Sequence, residues 1–200
     1  MYKKYIAEAI GTFALSLIIV ASVASLTPVP MAVPLIASLT LGLFVYTIGP
    51  ISGCHINPSV TLGLLFVHKI SRVEAGRYIG AQLIGALCAI VLSKLFFVGY
   101  DAMVAPFESK VFFAEMLGAF FFNFGIAAVV YGKAKEQMSG LVVGGSLLFG
   151  ILIATLLGAS GILNPAVALA LNAVTAVYLL APVIGAVLGF QVYKYLIQEK

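Results

Sequence analysis

Tryptophan is absent from this 200-residue chain, cysteine occurs twice, and only 9% of the residues are charged. Charge this sparse, with no polar stretch long enough for a second domain, excludes an ordinary soluble domain, where about 25% of residues are charged. The 11 basic residues form no stripe or cluster of the kind that grips nucleic acid, so no nucleic-acid partner is expected. Cys54 and Cys88 both stand in apolar surroundings and imply no disulfide framework. No nucleophile–base pair, metal-ligand cluster or phosphate-cradling loop stands out, so no enzyme, metal or cofactor is expected. What the chain does have is hydrocarbon: 62% of residues are hydrophobic, with a mean hydropathy of +1.16. It is too rich in Leu, Ile, Val and Phe to be disordered. An integral membrane protein remains, with 9 Tyr and 14 Phe available as interfacial anchors and packing groups.

A spanning helix needs about 20 mainly apolar residues. Six stretches qualify: 5–26, 31–49, 78–98, 111–131, 139–158 and 174–196. Two further apolar pieces, 58–67 and 165–173, are too short. At 1.5 Å per residue each reaches about 15 Å, half the hydrocarbon layer. Lys3-Lys4 ahead of an apolar run, with Ser22-Val23-Ala24 behind it, has the look of a signal peptide. The run is long, carries Glu8 and recurs later in the chain, so it reads as a retained helix. With the N-terminus inside, Lys3, Lys4, Lys69, Arg72, Arg77, Lys133, Lys135, Lys194 and Lys200 fall on the cytoplasmic side. Lys94 and Lys110 fall on the other. That bias predicts a multi-pass protein of the cell membrane with both termini cytoplasmic.

The chain repeats itself. Ala7-Glu8-Ala9-Ile10-Gly11-Thr12-Phe13 returns as Ala114-Glu115-Met116-Leu117-Gly118-Ala119-Phe120, and Asn57-Pro58-Ser59-Val60 as Asn164-Pro165-Ala166-Val167, both offset by 107. Tyr78…Ala81…Ile84-Gly85-Ala86…Lys94 returns as Tyr178…Ala181…Ile184-Gly185-Ala186…Lys194, offset by 100. The first half therefore holds seven more residues, assigned to a loop over 67–77. Each copy, approximately 1–100 and 108–200, contains three full spans and one half-span. Three is odd, so the second copy inserts upside down, and the half-spans enter from opposite faces. The predicted fold is a single all-α membrane domain of six transmembrane helices and two re-entrant half-helices in an inverted repeat.

Asn-Pro is a helix start, Asn capping and Pro occupying the first turn. Irregular backbone at membrane depth is tolerated only when buried in protein or lining a wet cavity. The segments 52–56 and 159–163 lead into the two half-helices, and their carbonyls are expected to form a ladder of acceptors along a water path. Asn57 and Asn164 would point amide donors into that path. Two positive dipole ends facing one point oppose cations and suit small uncharged solutes.

On these residues the chain resembles the aquaporin, or major intrinsic protein, family over essentially its full length. Ser52-Gly53-Cys54-His55-Ile56-Asn57-Pro58-Ser59-Val60-Thr61-Leu62-Gly63 is similar to the family's first signature, with Ser59 in place of the usual Ala, and Asn164-Pro165-Ala166 keeps the second. The resemblance implies a pore within each subunit, a homotetramer in the lipid bilayer, and passive passage of water or small neutral solutes. It places Cys54 and His55 on the pore-lining loop. His55 taken alone reads equally as a packed loop residue, and His68 as a solvated cap. The resemblance also implies that Glu8 and Glu115 accept hydrogen bonds from the re-entrant loop backbones. Taken alone they are candidate proton carriers or a coupling site in a secondary transporter, and Glu8 has Lys4 one turn away as a surface partner. Gly140…Gly144 and Gly185…Gly189 suit close helix packing.

The chain departs from the family at the constriction. Most relatives carry an Arg three residues after the second Asn; here Val167 stands there. Ungapped counting makes Ala37, Leu152 and Gly161 the other three constriction positions. All four are apolar, so the resemblance implies a greasy filter without fixed charge. It would pass water and solutes such as ammonia, hydrogen peroxide, urea or dissolved gas, or else close by dewetting.

Overall fold

The computed structural model describes residues 2–24, 32–97 and 108–198. Among these the helices are α1 (Lys3–Ala24), α2 (Ala32–Ser52), α3 (Pro58–Phe66), α4 (Arg72–Phe96), α5 (Ser109–Val130), α6 (Ser139–Leu156), α7 (Pro165–Ala170) and α8 (Ala176–Ile197). A single 3₁₀ turn, Glu136–Met138, leads into α6. Six helices, α1, α2, α4, α5, α6 and α8, are long and apolar enough to cross a membrane. The other two, α3 with nine residues and α7 with six, reach at most about half a bilayer.

These elements match the sequence expectation within a few residues, apart from two differences. Helix α4 begins at Arg72 rather than near residue 78. Ser71 caps it, its Oγ accepting from the Glu74 N–H at 3.2 Å, and Ser-x-x-Glu is a start signal that apolar run length does not register. Most of the residues assigned to the 67–77 loop therefore wind an extra polar turn and a half onto α4. The second short helix ends at Ala170, ahead of the expected 173. The expected span ends at 25–26, 31 and 98, and Lys200, lie outside the described residues.

Helix α4 packs on α1 and α8 on α5, while α2 and α6 lie against α1 and α5 and against each other. The short helices cross between halves, α3 packing on α8 and α7 on α4. One face collects the starts of α1 and α4, joined by the Lys4–Glu74 ion pair. It also collects the ends of α3 and α5, where Lys69 Nζ stands 4.7 Å over the Tyr131 ring. The end of α2 joins the α6 entry there, through Tyr46 Oη donating to the Gln137 carbonyl at 3.0 Å. On this terminal face lie Lys3, Lys4, Lys69, Arg72, Arg77, Lys133, Lys135 and Lys194; Lys94 and Lys110 lie at the opposite one. Lys4 is engaged with Glu74, so the local pairing with Glu8 does not form, and Glu8 is fully buried.

Glycine lets the halves approach at the α2–α6 seam: a methyl group added at Gly144 would sit 2.6 Å from the Ser38 carbonyl oxygen. The outward surface is hydrocarbon, with Leu39, Leu43, Leu87, Val91 and Phe113 all exposed. Such a surface is at rest against lipid chains and unstable in water.

Candidate functional site

The site is built where α3 and α7 begin. Asn57 caps α3, its Oδ1 accepting from the Ser59 N–H at 2.8 Å. Asn164 caps α7, its Oδ1 accepting from the Ala166 N–H at 3.0 Å and the Val167 N–H at 3.4 Å. With each oxygen turned to its own helix, each amide nitrogen faces the other loop. Asn57 Nδ2 donates to the Leu163 carbonyl at 3.0 Å, and Asn164 Nδ2 donates to the Ile56 carbonyl at 3.1 Å. The two half-helix starts are thus clasped reciprocally. Ser59 adds a hydroxyl at this junction, 2.8 Å from Asn57 Oδ1 and 3.3 Å from the Leu163 carbonyl oxygen.

The loops that deliver the asparagines are strained. Cys54, Ile56 and Leu163 have φ of 51°, 36° and 51°, in a region that side-chain-bearing residues rarely adopt. The strain is held by two buried carboxylates. Glu8 Oε1 accepts from the His55 N–H at 2.9 Å and Oε2 from the Ile56 N–H at 2.7 Å. Glu115 Oε1 accepts from the Gly161 and Ile162 N–H groups at 2.6 and 3.1 Å, and Oε2 from the Leu163 N–H at 3.0 Å. A buried carboxylate is tolerable only when donors of this kind surround it. The first loop has extra ties, since Ser52 Oγ donates to Glu8 Oε1 at 2.7 Å and Gln82 Nε2 to Glu8 Oε2 at 2.8 Å. Tyr78 and Tyr178 serve both halves, Tyr78 Oη donating to the Ser52 carbonyl at 2.8 Å and Tyr178 Oη lying 3.0 Å from Ser160 Oγ.

Cavities lie on both sides of the junction. The outer one, about 370 Å³, opens toward the face opposite the termini; Asn57, Asn164, Ala37, Gly161 and Val167 help line it. The inner one, about 260 Å³, is walled by Leu41, Val45, Val60, Leu64 and Phe122, with Cys54, His55 and Lys69. A third, about 400 Å³, forms a polar mouth on the terminal face, where Lys4, Lys69 and Glu74 surround Ser52, His55 and Tyr78.

Most of the expected site residues converge here: Asn57 and Asn164 at the junction, Pro58 and Pro165 in the first turns, Ser59 and Ala166 buried beside them, His55 and Cys54 on cavity walls. Leu152 does not. On α6 the outer cavity is lined by Leu147, Ile151 and Thr155, a stripe at four-residue spacing, so Leu152 points about 100° away. Ile151 lines the cavity instead, and a methyl group added at Gly161 would come 2.9 Å from Ile151 Cγ2. Ungapped counting across a loop is one residue out of register with this stripe. His68 is an exposed residue at the end of α3, with φ of 62°. Gln82 was not anticipated, because its counterpart in the repeat is Pro182 and the pattern carries no trace of it.

The model of the major intrinsic protein family matches residues 1–193. The chain belongs to the major intrinsic protein family. It is 34% identical to a glycerol uptake facilitator-like protein of Lactiplantibacillus plantarum, across 94% of each chain. It is 32% identical to the aquaporin AqpM of Methanothermobacter marburgensis, across 98% of each. Nodulin-26 of Glycine max is 31% identical across 96% of this chain and 77% of its own. The same fold occurs in the aquaglyceroporin of Plasmodium falciparum, with a TM-score of 0.76 over 98% of this chain and 96% of that one at 23% identity. Members of the family are channels, and this chain is a passive channel for water or small solutes. A transporter with its coupling site at Glu8 and Glu115 is not favoured. All four carboxylate oxygens are already engaged, the two of Glu115 by loop N–H groups alone and the two of Glu8 each by a loop N–H and a side-chain donor.

Proposed function

We propose that water and small uncharged solutes cross between the inner and outer cavities, past the Asn57–Asn164 junction and through an apolar constriction of Ala37, Ile151, Gly161 and Val167. The observation that carries this reading is the reciprocal clasp. It brings the positive ends of α3 and α7 together and leaves one N–H of each amide free for a passing molecule. A neutral solute can accept from these groups in turn, while a cation meets two like-signed dipole ends. The constriction holds no charge, so discrimination there rests on size and on the loss of water contacts.

The subunit operates in the cell membrane with the lysine-rich face and both termini in the cytoplasm, as the eight-to-two distribution of basic residues supports. Each subunit contains its own pore, and four assemble as a homotetramer in the bilayer, in keeping with the family. Purified protein in liposomes should raise the osmotic shrinkage rate, followed by light scattering, above that of empty vesicles, and should admit urea or ammonia without a driving ion. Rates equal to those of empty vesicles for every solute would overturn this reading.

A further inference from the structure

Charge is spread unevenly along the path. Among the described residues no charged side chain lines the outer cavity, whereas Lys69 lines both the inner cavity and the mouth. The other two ions of the mouth, Lys4 and Glu74, are paired with each other, and Glu74 Oε2 also accepts from Tyr5 Oη at 2.9 Å. Their charges cancel. One net positive charge is left at the inner entrance, and Lys69 carries it.

The fold does not require a lysine there. Helix α3 ends in a Schellman turn, with His68 at φ of 62° and the Lys69 N–H donating to the Leu64 carbonyl at 2.9 Å. Helix α7 ends in the same turn, with Asn172 at φ of 57° and the Ala173 N–H donating to the Ala168 carbonyl at 2.8 Å. At the matching position the second half carries only the methyl group of Ala173, fully buried. The two half-helices end alike in backbone and differ in charge. The turn therefore explains where residue 69 lies and leaves its ammonium group unexplained.

That group is held in place. Lys69 Nζ stands 4.7 Å over the Tyr131 ring, and a cation within about 6 Å of an aromatic face is attracted by the ring quadrupole. Tyr131 is itself backed by aromatics: it stacks on Tyr193 with centroids 6.2 Å apart, and Tyr193 meets Phe124 edge-on at 5.0 Å. Tyr131 Oη is buried and has no hydrogen-bond partner among the described residues, so the ring serves Lys69 through its face. On the lumen side Leu41, Val45, Val60, Leu64 and Phe122 supply apolar wall. Walls of low polarisability focus the field of a nearby charge into the water between them.

We propose that Lys69, parked on Tyr131, is a fixed electrostatic barrier to cations at the inner entrance, standing in for the charge that the Val167 constriction lacks. A cation from the terminal face meets Lys69 before it meets the positive ends of α3 and α7. An anion gathered at Lys69 goes no further, because the apolar constriction offers no charged partner for the water it must shed. Lys69 sets specificity, and Tyr131 is a positioning residue. The inference rests on the channel reading above.

The test is proton leak in proteoliposomes under a pH gradient, followed with an enclosed dye and divided by the osmotic water permeability of the same vesicles. Lys69 is exposed, so its replacement spares the core. At an ionic strength of about 0.01 M, where screening is weak, the ratio should rise about fivefold in Lys69→Gln, the factor one unit charge supplies at about 4 Å in water. It should rise further in Lys69→Glu and stay at the parent value in Lys69→Arg. Tyr131→Phe, which keeps the face, should match the parent, and Tyr131→Leu should fall between the parent and Lys69→Gln. At about 1 M salt the difference between Lys69→Gln and the parent should vanish. An unchanged ratio in Lys69→Gln at low salt overturns the inference, and so does a rise that persists at high salt, which would mark a wider opening and not a lost charge. Either result leaves the channel reading standing; water permeability no greater than that of empty vesicles removes both.

Discussion

Val167 is buried in the wall of the outer cavity, at the position where the resemblance to the family implies an arginine in most relatives. Among the described residues lining that cavity none is charged, so Val167→Arg is expected to add donors, narrow the opening and repel cations. Urea and glycerol permeability should fall several-fold and proton leak should decline, measured in liposomes under osmotic and proton gradients. If neither changes, Val167 is not part of the filter. The two buried glutamates act differently: their positions are set by the loops they hold. Ile56 and Leu163 sit in left-handed backbone immediately before each asparagine, and a carboxylate oxygen meets the N–H of each at 2.7 and 3.0 Å. Leaving a buried N–H without a partner costs about 1–3 kcal/mol, so these residues keep the loops in a conformation they would otherwise leave. Both glutamates are visible in the repeat; the direction each oxygen faces is not.

At the scale of elements, short helices owe their existence to their first residues. Helix α7, of six residues, has Asn164 and Pro165 at its start and is buried at every residue but Leu169, which is partly so. Packing maintains it where length cannot. The long helices instead depend on close approach. Gly144→Val would drive a branched side chain into the Ser38 carbonyl and part α2 from α6. Gly145, with open space around its α-carbon, is the control. We expect Gly144→Val to lower the thermal unfolding temperature in detergent by many degrees. Gly145→Ala should leave it unchanged or raise it slightly, since alanine is better than glycine in a helix by about 0.5–1 kcal/mol. Existence and approximate length of the spans were legible because they depend on a run of apolar residues. The start of α4 at Arg72 was equally present in the sequence, as Ser71 and Glu74, but its signal is a cap and not a hydropathy change.

For the molecule as a whole, the asymmetry that matters is between its faces. Among the described residues, eight basic side chains against two separate the terminal face from the other. Single cysteines placed at Lys135 and, separately, at Lys110 in a Cys54→Ser, Cys88→Ser background should report opposite sides. A membrane-impermeant maleimide added to intact cells should label the second alone; labelling of the first would invert the orientation.

The amino-acid sequence by itself determined the class, the number of spans, the repeat and the two half-helix starts. These are set by composition, by run length and by residues adjacent along the chain. Tertiary structure alone decided that Ile151 and not Leu152 lines the outer cavity, that Lys4 pairs with Glu74, and that Thr61 reaches His55 and Gln82 reaches Thr61. The physical reason is common to all three. A helix apolar all round has no polar face to mark which side turns inward. Its rotation is fixed only when neighbouring helices and buried hydrogen bonds select one, and a composition this poor in charge leaves no marks along the chain that would show it.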